Sequence, residues 1–273
     1  MEIFFEYHCG IQSAVLSKIR TGDKNIIRNC SESLRIKFTS SKKIQAGRLT
    51  NKMRSESISI GTANGDTTAY VARPDEVSGK AVLLIHEWWG LNDHIKDIAA
   101  RYAAEGFVAI APDLYRGKIA KNPEEAGAMM HALAIEDGLD TIKCAVEAAG
   151  SAFGISHFGI TGFCMGGTFA LRAACELEGF SAAAPFYGDI PEEDVLKKLK
   201  TPTIFVSGTR DAWINSEKVA YLEDATDRYE LPVHSVKYVA DHAFFNNTRP
   251  EVYDESAAND AWALVVGFFR DKL

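Results

Sequence analysis

Gly162-Phe163-Cys164-Met165-Gly166-Gly167 sets a thiol at the centre of a G-x-nucleophile-x-G pattern. A nucleophile carried on a sharp turn between a strand and a helix needs residues without side chains two places before and after it. Any Cβ there would strike the flanking elements. A helix starting just beyond Cys164 would also aim its positive end at the sulfur and favour thiolate. A thiol needs a base, and the chain offers Asp211 and then His242, in the order nucleophile, acid, histidine. Asp211 would orient the imidazole and His242 would carry the proton. His234 is a competing base, but it falls at the beginning of its predicted strand, whereas His242 follows the end of that strand. Cys144 and Cys175 read as small core residues.

These positions are useful only if strands and helices bring them together, and the pattern supplies such elements. Ser57-Ile58-Ser59-Ile60 alternates, Asn64-Gly65 marks a turn, and Thr67 to Ala72 reads as the return strand of a hairpin. Ala81 to Ile85 is a short apolar run suited to a sheet covered on both faces. Ile95, Ile98, Ala99, Tyr102 and Ala103 recur at helical spacing, with Gly106 as the stop. Phe107 to Ala111 is the next strand, ended by Pro112. Asn122-Pro123 opens a helix, and Leu139, Ile142, Val146 and Ala149 mark the face of another. Strand 157–161, helix 166–177, strands 182–186 and 203–207, helix 216–228, strand 235–239 and helix 254–270 complete the series. Strands alternating with helices predict an α/β fold with a mostly parallel sheet. Asp211 and His242 then fall in loops at the carboxyl ends of successive strands, where such sheets bind ligands.

The chain has 273 residues, 47% of them hydrophobic and 25% charged, and a formal charge of −7. That profile fits a globular protein with a sizeable core and argues against a nucleic-acid or anionic-membrane surface. The five scattered cysteines form no metal-binding cluster and no disulfide framework, which favours a reducing, cytoplasmic compartment. Charge is uneven. Residues 1–52 carry ten Lys/Arg against four Asp/Glu, and residues 53–273 carry twenty against thirty-three. Residues 1–52 read as a disordered basic extension, or as a stretch upstream of a true start at Met53. A transit peptide is the weaker reading, because Glu2 and Glu6 place acid where such segments avoid it. Residues 53–273 read as one domain.

Ile85-His86-Glu87-Trp88-Trp89-Gly90, Ala111-Pro112-Asp113-Leu114-Tyr115, the elbow around Cys164, Gly208-Thr209-Arg210-Asp211 and Asp241-His242-Ala243-Phe244-Phe245 occur in this order. Together they resemble the dienelactone hydrolase family of the α/β-hydrolase superfamily. The resemblance implies an α/β-hydrolase fold: a twisted, mostly parallel sheet with helices on both faces and an N-terminal antiparallel hairpin. It implies a cysteine-dependent hydrolase of small ester or lactone substrates, working through an acyl-enzyme and needing no cofactor or metal. By the same resemblance, Glu87 would hold the resting thiol and swing away when substrate binds, which would protect the sulfur from oxidation. The backbone N–H groups of Trp88 and Met165 would form the oxyanion hole. Trp89, Trp213 and Phe244 would line an apolar substrate pocket beside Trp88.

Two departures bear on the substrate. Family members that cleave the anionic lactone grip its carboxylate with arginines. Arg116 stands one place early for one of these, and Asn246 occupies the place of another. Losing a bidentate Arg would weaken selection for a carboxylate, and Arg249 is a further candidate cation. The alternatives are a carboxylesterase or thioesterase acting on an unrelated acyl group, and a non-catalytic binding protein of the same fold. A redox role for Cys164 lacks a resolving cysteine. The expected partner is a small molecule, with no nucleic acid or membrane, for a monomer or small homo-oligomer.

Overall fold

Alternating residues at the start of the domain pair as an antiparallel hairpin, β1 (Met53–Ile60) with β2 (Thr67–Pro74), in a register that sets Ile60 opposite Thr67. The connection contains Asn64 and Gly65, and Gly65 takes a positive φ of 109°. The loop is longer than a two-residue turn because Thr62 and Ala63 are also used: the Ala63 amide donates to Asp140 and Thr62 Oγ1 donates to the Gly65 carbonyl. This computed structural model describes residues 53–273, and the expectations for residues 1–52 lie outside the described residues.

Beyond the hairpin, strands and helices alternate as β3 (Lys80–Ile85), α1 (Asp93–Ala104), β4 (Val108–Pro112), α2 (Pro123–Ala132), α3 (Ile135–Phe153), β5 (His157–Phe163) and α4 (Met165–Glu176). They continue as β6 (Phe180–Phe186), α5 (Glu193–Leu196), β7 (Thr203–Gly208), α6 (Ser216–Tyr229), β8 (Val233–Tyr238) and α7 (Glu255–Lys272). All but α5 follow the sequence pattern. That single turn is too short to carry a helical period. Polar caps set several helix starts. Asn92, Asn122, Asn215 and Asp254 each accept from the amide three residues on, which satisfies one of the free donors at a helix N-terminus.

One eight-stranded sheet results, in the order β1-β2-β4-β3-β5-β6-β7-β8. Strands β3 to β8 run parallel, and β2 joins β4 antiparallel. Both faces are covered, as the apolar run in β3 requires. Ala81, Leu83 and Ile85 face a core shared with α3, α4 and α6, whereas Val82 and Leu84 face a core shared with α1 and α7. Burying each such Leu or Ile contributes about 1.5–3 kcal/mol. The consequence for function is directional. Parallel β3, β5, β6, β7 and β8 all end on one edge of the sheet, so the residues just past them, Glu87, Cys164, Tyr187, Asp211 and His242, gather there. Among the described residues, no helix is long and apolar enough to cross a membrane.

Candidate active site

Cys164 occupies the turn between β5 and α4 with φ 56° and ψ −118°, a conformation rare for a residue with a Cβ. The glycines around it are forced by contact. A Cβ on Gly162 would lie 2.2 Å from the Gly166 carbonyl oxygen, and one on Gly166 would lie 2.2 Å from the Ile85 carbonyl oxygen. The Cys164 amide donates to the Phe186 carbonyl at 3.1 Å, anchoring the turn to β6. The residue as a whole is 5% exposed. Burial pushes its thiol well above the ordinary range, the charge of Glu87 pushes it further, and the Met165 amide only partly opposes them. The helix end was expected to favour thiolate. Dehydration outweighs it, and the resting group is a thiol.

Asp211 and His242 meet where their positions in sequence indicate. His242 Nδ1 lies 2.6 Å from Asp211 Oδ2, and Asp211 Oδ1 accepts from the Trp213 and Ile214 amides, both at 2.8 Å. Burial raises the Asp211 carboxyl, but the His242 hydrogen bond and these two amides overcome it and hold the group below its ordinary range. With Nδ1 committed to the carboxylate, His242 Nε2 is buried without a partner among the described residues. The two loops are tied together: the Arg210 amide donates to the Ala240 carbonyl at 3.0 Å, and the Arg210 guanidinium pairs with Asp241 at 3.1 Å. His234 is exposed on β8, away from this edge.

Glu87 sits just past β3, 2% exposed, with its Oε2 accepting from Asn246 Nδ2 at 2.7 Å. Asn246 Oδ1 accepts from the Thr248 amide and hydroxyl, so only the amide nitrogen is free to face Glu87. Burial raises the Glu87 carboxyl to about 7, against opposing effects from Asn246 and Arg249. His86 fixes the approach. Its Nε2 accepts from the Leu114 amide at 3.1 Å, so the proton lies on Nδ1, which donates to the Glu87 carbonyl at 2.7 Å. Burial depresses the His86 pKa and keeps the ring neutral. Sequence reasoning quoted His86 in a motif and gave it no role.

Glu87, Trp88, Cys164, Trp213, His242, Ala243 and Arg249 line a cavity of about 230 Å³. Trp213 thus reaches the pocket as expected, and three other residues do not. Arg116 is withdrawn: its guanidinium makes two bonds to Asp137, at 2.6 and 2.9 Å, and a third to Thr62. It pins the hairpin loop to α3 and lines a different depression. Trp89 packs edge-on against Trp88 outside the lining, and its carbonyl accepts from the Ala120 amide. Phe244 is fully buried in the core between Tyr187 and Tyr238. Arg249 is the cation on the lining, one-third exposed and paired with Glu251 at 2.8 Å. Among the described residues, no group of three or more His, Cys, Asp or Glu side chains is placed to hold a metal ion.

A doubly covered parallel sheet, a strained elbow at the end of a central strand, and an acid and a histidine from the next strand ends define the α/β-hydrolase class. The comparisons narrow this. The profile of the Dienelactone hydrolase family matches residues 67–273. "Protein usf" of Aquifex pyrophilus is 36% identical over 217 residues, covering 75% of this chain and 93% of that protein. A "Putative carboxymethylenebutenolidase" of Aquifex aeolicus matches with the same identity and coverage. Among solved structures, a protein titled "Putative Dienelactone Hydrolase" from Klebsiella pneumoniae superposes with a TM-score of 0.74 at 27% identity, over 81% of this chain and 99% of that one. The chain belongs to the dienelactone hydrolase family, and it is a carboxylic ester hydrolase.

Proposed function

We propose that this hydrolase cleaves small ester or lactone substrates with Cys164 as nucleophile, through a thioester acyl-enzyme. One observation carries the reading: His242, whose Nε2 is left unpartnered while Nδ1 lies 2.6 Å from Asp211, lines the same cavity as Cys164. Glu87 holds the resting thiol until substrate enters. The Cys164 proton then passes to His242 Nε2, Asp211 stabilises the imidazolium, and Sγ adds to the acyl carbon. The Trp88 and Met165 amides receive the oxyanion. The C–O bond breaks, and the leaving alkoxide takes the proton from His242. Water, deprotonated by His242, then attacks the thioester and releases the acid and the Cys164 thiol. A cavity of about 230 Å³ suits short acyl groups.

Capture of Arg116 by Asp137 and the neutral Asn246 favour a second reading, in which the natural acyl group is unrelated to dienelactone and carries no carboxylate. A panel of p-nitrophenyl acetate, short thioesters and cis-dienelactone tests both. Loss of all turnover in Cys164→Ala with the fold intact is the expected result, and wild-type activity in that variant overturns the nucleophile assignment. A preference for neutral esters over cis-dienelactone would support the second reading.

A further inference from the structure

We propose that Tyr187 is a positioning residue whose buried hydroxyl donates to the negative charge that Glu87 and Cys164 share once one proton has left the pair. The proposal builds on the assignment of Cys164 as nucleophile.

Tyr187 immediately follows β6, the strand between β5, which leads to Cys164, and β7, which leads to Asp211. Its φ is 37°, a strained value for an aromatic residue, and such strain persists only where the surroundings over-determine it. Here they do. The Tyr187 amide donates to the Val206 carbonyl at 2.7 Å, and Gly188 lies against the backbone of Gly167 and Thr168. The ring is 1% exposed and stands edge-on to His242, with centroids 5.2 Å apart.

The phenol oxygen at the end of that ring is within reach of the Phe245 amide, but its O–H proton meets no acceptor among the described residues. A buried tyrosine O–H normally finds an acceptor, so a free one on a ring packed against His242 marks a donor held for another state. The groups around it say which. Burial, then Glu87, Cys164 and Asp211, all push the phenol toward keeping its proton, and the Phe245 amide alone opposes them. His242 packs against the ring, and Arg249 lines the cavity shared by Glu87 and Cys164. A negative charge on the Glu87–Cys164 pair has few other donors: Asn246 serves the carboxyl and the Met165 amide serves the sulfur. The Tyr187 O–H is the uncommitted one, and a bond to an anion is worth more than one to a neutral group.

The test is Tyr187→Phe, which keeps the ring and its packing. Iodoacetamide modification of Cys164, read by peptide mass as a function of pH, reports the ionisation directly. The expected result is a midpoint raised by about one unit or more, with kcat reduced about tenfold and KM within twofold of wild type. The thermal midpoint should change little, because the deleted O–H donates to no acceptor in the resting site. An unchanged alkylation midpoint overturns the proposal, whatever happens to stability. The alkylation profile does not depend on ester turnover. Active Cys164→Ala would therefore refute the proposed reaction while leaving the Tyr187 measurement readable.

Discussion

Asn246 and Glu87, distant in sequence, share a hydrogen bond of 2.7 Å in which neither side chain reaches solvent. A neutral amide can orient the carboxyl, but it cannot supply the charge that would keep it ionised. Burial therefore raises Glu87 to about 7, with Asn246 only partly opposing it.

This raised value has a thermodynamic signature. In the unfolded chain Glu87 ionises near 4.5, whereas in the folded protein it holds its proton until about 7. The folded state binds more protons in that window, so stability falls as pH rises through it. The full loss is on the order of 3 kcal/mol. Urea denaturation of wild type and Glu87→Gln at pH 5 and pH 8 reads it: the variant should lack this part of the decline. Parallel profiles for the two proteins would sink the idea.

Asp211 fixes His242, so Asp211→Asn should lower kcat by about 10³–10⁴ with little change in KM, by removing the tautomer control that a carboxylate exerts. Steady-state kinetics on p-nitrophenyl acetate would show it. A loss below tenfold would mean that the 2.6 Å contact has no catalytic role.

Arg116→Ala should leave kcat/KM unchanged within twofold for anionic and neutral esters alike. The same change should cost about 1 kcal/mol of stability, because the partly buried pair with Asp137 joins the hairpin loop to α3. A selective loss on anionic esters would return Arg116 to the substrate.

Arg249→Ala, by contrast, should reduce kcat/KM about tenfold for a carboxylate-bearing ester and far less for a neutral one. Arg249 lines the cavity and, among the described residues, its side chain pairs only with the exposed Glu251. Equal losses on both substrates would assign it a structural role.

What could be read from the chain, and what could not, divides along physical lines. The buried run of β3, the cap at Asn122, and the glycines at 162 and 166 act locally, so type and spacing reveal them. Asp211 and His242 are visible because parallel strands deliver their ends to one edge. Arg116 misleads because its true partner, Asp137, lies on a helix that only folding brings near. Phe244 resembles a pocket residue because an aromatic beside a histidine can face either way, and here it faces the core. Tyr187 gives no signal at all: Phe-Tyr at the end of an apolar strand reads as packing, and only the strained backbone and the uncommitted proton of its hydroxyl set it apart.

The closeness of Gly166 to the Ile85 carbonyl has a mechanical result. The strand that delivers Glu87 and the helix that follows Cys164 touch backbone to backbone, with no side chain between them to compress or tilt. On the proposed mechanism, nucleophile and guarding acid thus ride on one chassis, and rotation about side-chain bonds is the cheapest movement left for parting them. Activation by that route would be a matter of torsion angles rather than of hinges, completed without opening the sheet.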